Sequence, residues 1–182
     1  MGTFGDTRPP GICHTWDMRI LVTASSKHGA TAEIADAIAE RLRQAGHTVD
    51  RREPQDVVSL DGYGAVVCGS AVYMTQWMEP STSFLQRFET QLGRIPVWAF
   101  SVGLSGVPKH SPQDPSRIGP VLMKVHVVHH TTFPGRYVPS KLSLRERSIA
   151  RLAGAVEGDF RDWQAVDAWT DSIVAELGRE RA

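Results

Sequence analysis

The chain has 182 residues, 41% hydrophobic and 22% charged, enough for one sizeable core and unlike the polar, highly charged make-up of disordered chains. The 20 Lys and Arg offset 20 Asp and Glu, so no global basic field exists to hold a polyanion, and nucleic acid is not expected as the main partner. Two cysteines, Cys13 and Cys68, exclude a disulfide scaffold, and no apolar run approaches the ~20 residues of a membrane-spanning helix.

Residues 1–17 carry Gly2, Gly5, Pro9, Pro10 and Gly11 without periodicity and lack the continuous apolar core of a secretory signal, so they read as a flexible leader. The folded domain is expected over 18–182, and Met18 is a candidate natural start. From there short apolar runs alternate with helical patterns. Residues 20–23 predict a first strand. A helix over 30–44 follows, with Ile34, Ile38 and Leu42 at four-residue spacing and Gly46 just beyond its end. Residues 48–52 predict a second strand, polar enough for a sheet edge, and 56–60 a short helix. The third strand is expected at 65–69, with Cys68 as a small buried hydrophobe. A helix over 83–92 places Phe84, Phe88 and Leu92 on one face and is followed by Gly93.

The fourth strand is expected at 96–101 and the fifth at 126–131, separated by a loop over 103–120 rich in Pro, Gly and Ser. On a strand His126 and His130 share one face and His129 takes the other, which suits structural roles better than a metal cluster. Ser143-Leu144-Arg145-Glu146 is a capping box opening a short helix to about Leu152, made basic by Lys141, Arg145, Arg147 and Arg151. Val166, Trp169, Ile173 and Leu177 mark a last helix, with Asp162 as its N-cap. Alternating strands and helices predict a doubly wound α/β domain whose parallel sheet is covered on both faces.

The turn between the first strand and first helix reads Ala24-Ser25-Ser26-Lys27-His28-Gly29-Ala30-Thr31. Free backbone N–H groups and the helix dipole favour a phosphate at such a turn; Ser25, Ser26 and Thr31 offer hydroxyl donors, and Gly29 permits close backbone approach. A Walker A loop and a three-glycine dinucleotide loop are both missing, and the third strand ends Cys68-Gly69-Ser70 without the Asp of a phosphoacceptor domain.

Ser26-Lys27-His28-Gly29-Ala30-Thr31, ending in Gly-x-Thr, resembles the FMN phosphate loop of the flavodoxin family. Three further segments extend the resemblance to the branch that includes menaquinone-dependent protoporphyrinogen IX dehydrogenase. They are Ala32-Glu33-Ile34-Ala35, Val67-Cys68-Gly69-Ser70-Ala71-Val72-Tyr73 and Glu157-Gly158-Asp159-Phe160-Arg161-Asp162-Trp163. The resemblance implies a flavodoxin-like five-stranded parallel sheet in the order 2-1-3-4-5, with ligand at the switch point beyond the first and third strands.

FMN is the implied cofactor, its phosphate held by Ser25, Ser26, Lys27, His28, Gly29, Ala30 and Thr31. The isoalloxazine is expected between Ser70, Ala71, Val72, Tyr73, Met74 and Trp77 on one side and Ser101, Val102, Gly103 and Leu104 on the other. Tyr73 and Trp77 offer stacking faces, and the backbone of 71–74 and 102–104 offers partners for the ring's polar edge. No residue is singled out as a catalytic acid or base, and no metal is expected.

The implied function is an FMN-dependent oxidoreductase passing electrons from an organic substrate to a quinone or similar small acceptor. A cytoplasmic location is expected, and residues 141–152, in a region where the resemblance implies substrate or quinone contact, are also a candidate contact for the inner membrane face or for a second copy in a homodimer. Two other readings stay open. A flavodoxin-type electron carrier is disfavoured by zero net charge, since such carriers are usually acidic. A regulatory binding module that has lost FMN would purify colourless and remain so with added flavin.

Overall fold

The computed structural model describes residues 18–73, 76–103, 122–152 and 156–179. The leader over 1–17, Met74, Leu104 and nearly all of the loop expected over 103–120 fall outside these residues. The strands are β1 (Arg19–Ser25), β2 (Thr48–Arg52), β3 (Ala65–Tyr73), β4 (Gln76–Trp77), β5 (Val97–Gly103), β6 (Val127–Pro134), β7 (Arg136–Tyr137) and β8 (Gly158–Asp159). The helices are α1 (Ala30–Gln44), α2 (Glu79–Arg87), α3 (Glu89–Leu92), α4 (Leu144–Leu152) and α5 (Trp163–Arg179).

β1, β2, β3, β5 and β6 form a parallel sheet in the order β2-β1-β3-β5-β6. This is the expected 2-1-3-4-5 order once the short β4, an antiparallel hairpin partner of β3, is set aside. The central strands β1, β3 and β5 are buried on both faces along most of their length, as a parallel sheet requires. Period two sorts the side chains. Ile20, Val22 and Ala24 of β1, Val67 of β3, and Trp98, Phe100 and Val102 of β5 face one layer, where Ile34, Ile38 and Leu42 of α1 meet Val166, Trp169, Ile173 and Leu177 of α5. Leu21, Val66, Cys68, Val97 and Ala99 face the other, packed on Phe84, Leu85, Phe88 and Leu92. Each such Leu, Ile or Phe contributes about 1.5–3 kcal/mol by burial, so the helices are held by their apolar stripes more than by propensity.

Two elements differ from expectation. The helix expected over 83–92 starts earlier and is split at Phe88 (φ −109°), although Phe88 N–H still bonds Phe84 C=O at 3.1 Å and Leu92 N–H bonds Phe88 C=O at 2.9 Å. Pro80 in the first turn of α2, where its missing N–H costs nothing, is the sequence signal for that earlier start. The short helix expected over 56–60 is instead a 3-10 turn at Pro54–Asp56, followed by chain that buries Val57 and Leu60 in the second core.

Both caps form as the sequence predicts. Asp162 accepts from the Ala165 N–H at 3.0 Å, and Ser143 and Glu146 exchange the reciprocal bonds of a capping box at 2.9 and 3.4 Å. His129 and His130 take opposite partners: Trp169 Nε1–H donates to His129 Nδ1 at 3.0 Å, and His130 Nε2 lies 2.9 Å from Ser101 Oγ.

Candidate functional site

β1 runs straight into the loop that precedes α1, and β3 lies beside it in parallel register from Ile20↔Ala65 to Ser25↔Ser70. The loop therefore sits at the carboxyl end of the sheet where the strand order reverses. Gly29 is its pivot. It takes φ +88° as N-cap of α1, a left-handed conformation suited to glycine, and no side chain caps the helix. Ser26 Oγ accepts from the Gly29 N–H at 3.1 Å and closes the loop, while the helix dipole leaves the first turn electropositive.

The predicted hydroxyl donors divide. Ser26 shapes the loop and Thr31 is buried in the first turn. Ser25 is 3% exposed and stands 2.7 Å from Ser81 Oγ, which also reaches the Gly69 carbonyl at 2.8 Å, so Ser25 anchors the loop to α2 and is not an open phosphate donor. Ala30 begins the helix and is nearly buried.

Lys27, His28 and Tyr73 come together under the start of α4. The Lys27 ammonium pairs with Glu146 and lies 5.3 Å from the centre of the Tyr73 ring. His28 Nε2 is 3.7 Å from Glu146 Oε1, too far for a hydrogen bond, and is a buried ring nitrogen without a hydrogen-bond partner among the described residues. The His28 and Tyr73 rings stand 6.4 Å apart. Burial, with the Glu146 carboxylate nearby, pushes the Tyr73 phenol up to about 12, so it is neutral near pH 7. Tyr73 is 36% exposed, with the Lys27 ammonium over its ring.

Lys27, and then the Ser143 amide and hydroxyl, hold the Glu146 carboxyl down to about 2. A depressed carboxylate stabilises the fold above its ordinary value of 4.5, and that contribution is lost as pH falls from 4.5 towards 2. We expect Glu146→Gln to lower the thermal midpoint at pH 6 and the gap from wild type to close as pH approaches 2. A gap that stayed constant with pH would show that the carboxylate charge does not dock α4 on the loop.

Trp77 corrects the second expected stacking face. Its indole is 5% exposed in the core with Phe84 and Phe88, and its Nε1–H donates to Ser101 Oγ at 2.8 Å. Ser101 is thereby spent on Trp77 and His130, and Ser70 Oγ donates to Ala71 C=O at 2.9 Å while accepting from the Met78 N–H at 2.9 Å. Both serines brace the sheet end. Val72 and Tyr73 pair with Trp77 and Gln76 in the β3–β4 hairpin, and Met74 lies outside the described residues. Ala71 pairs with Val102 across β3 and β5. Val102 is buried in the first core, and the Gly103 carbonyl accepts from the Gly135 N–H at 2.8 Å, so it is engaged within the fold; Leu104 lies beyond the described residues.

Sequence reasoning passed over a cluster on the other flank of the loop. The β7–β8 ribbon, tied to β5 by that Gly135 bond, carries Arg136 to Glu33 of α1 at 2.7 Å, and Arg161, 6% exposed, pairs with the same Glu33. Arg161 also grips Asp159 through two nitrogens. Arg161 and Arg136 hold the Glu33 carboxyl below its usual range. A shallow polar cleft of about 690 Å³ lies elsewhere, beside α1 and β2, where Asp36, Arg51 and Glu53 spend their charges on one another.

The residues fit a flavin mononucleotide in kind. Gly29 holds its left-handed turn at an uncapped helix start, cations border that turn, and a neutral tyrosine face stands next to it.

A flavodoxin-domain family model matches residues 21–163. No curated protein matches the chain in sequence. Among solved structures it is similar to a flavodoxin from the domain Archaea, with TM-score 0.58, 16% identity and coverage of 88% of this chain and 99% of that one. It is also similar to rubredoxin oxygen:oxidoreductase from Desulfovibrio gigas, with TM-score 0.57 and 14% identity, over 92% of this chain but 37% of that one. An NADH:FMN oxidoreductase in its apo form gives TM-score 0.54 and 15% identity over 87% and 89% of the two chains. At these identities the likeness is one of fold.

Proposed function

The chain belongs to the flavodoxin-domain family, and on that premise we propose that it binds FMN and works as a redox protein. FMN is the cofactor of flavodoxin-fold homologues. The observation that carries the reading is Gly29, left-handed at the uncapped start of α1 and placed at the switch point of the sheet. Ser26 fixes the loop, the first-turn amides of α1 would hold the phosphate, and Tyr73, beside Lys27, would offer a face to the flavin ring. Bound FMN supplies the electron transfer; the protein binds, orients and shields it. Titration of the protein into FMN, followed by flavin fluorescence, should saturate at one flavin per chain, and fluorescence that never changes would end this reading.

We further propose an oxidoreductase with a quinone as acceptor. The resemblance of the segments around Ser70 and Asp159 to the protoporphyrinogen dehydrogenase branch supports it, and the balanced charge favours an enzyme over an acidic carrier. Anaerobically reduced, flavin-loaded protein should be reoxidised on mixing with a soluble menaquinone analogue; no reoxidation would remove the quinone. Among the described residues no helix is long and apolar enough to cross a membrane. Residues 141–152 are proposed to contact anionic lipid at the inner membrane face or a second copy of the chain, to be read by liposome co-sedimentation and by solution mass.

A further inference from the structure

Gly29 has neighbours of both signs. A side chain begun at Gly29 would place its first carbon 3.6 Å from Glu33 Oε1 and 3.8 Å from Arg136 Nη2. Negative charge beside the start of α1 opposes a second anion there, whatever the helix dipole contributes. Two arginines converge on that carboxylate. Arg161 is already committed to Asp159 through Nε and Nη2 and reaches Glu33 with its remaining terminal nitrogen. Arg136 meets Glu33 through both terminal nitrogens, at 2.7 and 3.4 Å, and is the arginine that borders Gly29.

The chain places Arg136 with some care. Gly135 N–H bonds the Gly103 carbonyl at the end of β5, Phe160 N–H bonds the Gly135 carbonyl, and Arg136 pairs with Asp159 across the β7–β8 ribbon. A carbon added at Gly135 would stand 3.2 Å from Val102 Cγ1 and 3.3 Å from the Gly103 carbonyl oxygen, so the ribbon meets the sheet end as closely as backbone allows. Its two ends deliver Arg136 and Arg161 to one residue of α1, more than 100 positions away in sequence.

We infer that Arg136 sets the selectivity of the loop for a phosphorylated over an unphosphorylated flavin, by cancelling the charge that Glu33 would otherwise present beside Gly29 to an arriving phosphate. The inference rests on the FMN reading and goes beyond it, because an uncapped helix start binds through neutral amides and needs no arginine. Arg136 and Glu33 then act with opposite sign on the phosphate and have no charge to read on riboflavin.

The experiment is a comparison of FMN and riboflavin dissociation constants, by fluorescence titration at low salt, for wild type, Arg136→Gln, Glu33→Gln and the double variant. The ratio of the two constants cancels effects on the flavin ring and on overall stability. Arg136→Gln should lower the preference for FMN roughly tenfold, as expected for one charge-assisted contact. Glu33→Gln should raise it, and the double variant should return it to within a few-fold of wild type. Equal ratios in all four proteins, with wild type binding FMN, would overturn the role of Arg136 and leave the FMN reading intact. Wild type that bound neither flavin would overturn the FMN reading itself.

Discussion

Replacing Gly29 with valine is expected to abolish FMN retention while leaving a folded protein. At φ +88° a β-branched residue is a steric outlier, and the left-handed conformation costs an L-residue roughly 1–2 kcal/mol. The first carbon meets nothing closer than 3.6 Å, so the strain is in the backbone and the loop relieves it by turning its amides. That relief would break the bond between Ser26 Oγ and the Gly29 N–H and scatter the first-turn donors. FMN affinity should fall by roughly a hundredfold or more, about 2.7 kcal/mol, with a far smaller loss in thermal midpoint. Gly29→Asn, which tolerates the left-handed region, should retain most of the affinity. Affinity in the valine variant within a few-fold of wild type would mean that the loop is not the phosphate site.

The largest stability effect is expected at Gly69, the middle of β3 between Ala24 of β1 and Phe100 of β5. A carbon added there would stand 2.1 to 2.4 Å from Cζ, Cε1 and Cε2 of Phe100, distances at which the ring must move. Phe100 is fully buried and its ring centre lies 6.1 Å from Phe133 and 6.0 Å from Trp169, so it has nowhere to go without repacking the first core. Overpacking of this kind costs about 3 kcal/mol or more, and Gly69→Ala should lower the thermal midpoint by roughly 6–12 °C. Phe100→Leu in the same chain should recover part of the loss, giving strong non-additivity between the two sites. Additive effects in thermal melting would show that the close approach of Phe100 to Gly69 is not what the glycine serves.

The same strand illustrates how far the sequence carries. Apolar runs located β1, β3, β5 and β6 to within a few residues, and the four-residue spacing of Ile34, Ile38 and Leu42, bounded by Gly29 and Gly46, located α1 at both ends. These signals are local and strong, because burial on one or both faces fixes the period. Two-residue elements such as β4, β7 and β8 are too short to carry a period, and they were not anticipated. The loop before α1 stands out in the sequence as a candidate phosphate site because glycine, serine and threonine crowd one turn. Its neighbours do not: Arg136 and Arg161 reach Glu33 across 103 and 128 positions, and Glu146 reaches Lys27 across 119.

Trp77 and Ser101 show the other limit. An aromatic and a hydroxyl after central strands suit a ligand as well as they suit each other, and the structure joins them in a buried bond. Only the packing of α2 against β3 and β5 decides between the two, and that packing is set by residues far apart in the chain.

FMN held through the loop at Gly29 should stay with this flavodoxin-domain chain during purification. The most direct measurement is the visible absorption spectrum of the purified protein after incubation with FMN and removal of the excess by gel filtration. A flavin spectrum should travel with the protein at one FMN per chain and be missing from the Gly29→Val variant. A colourless wild-type protein after the same treatment would contradict it.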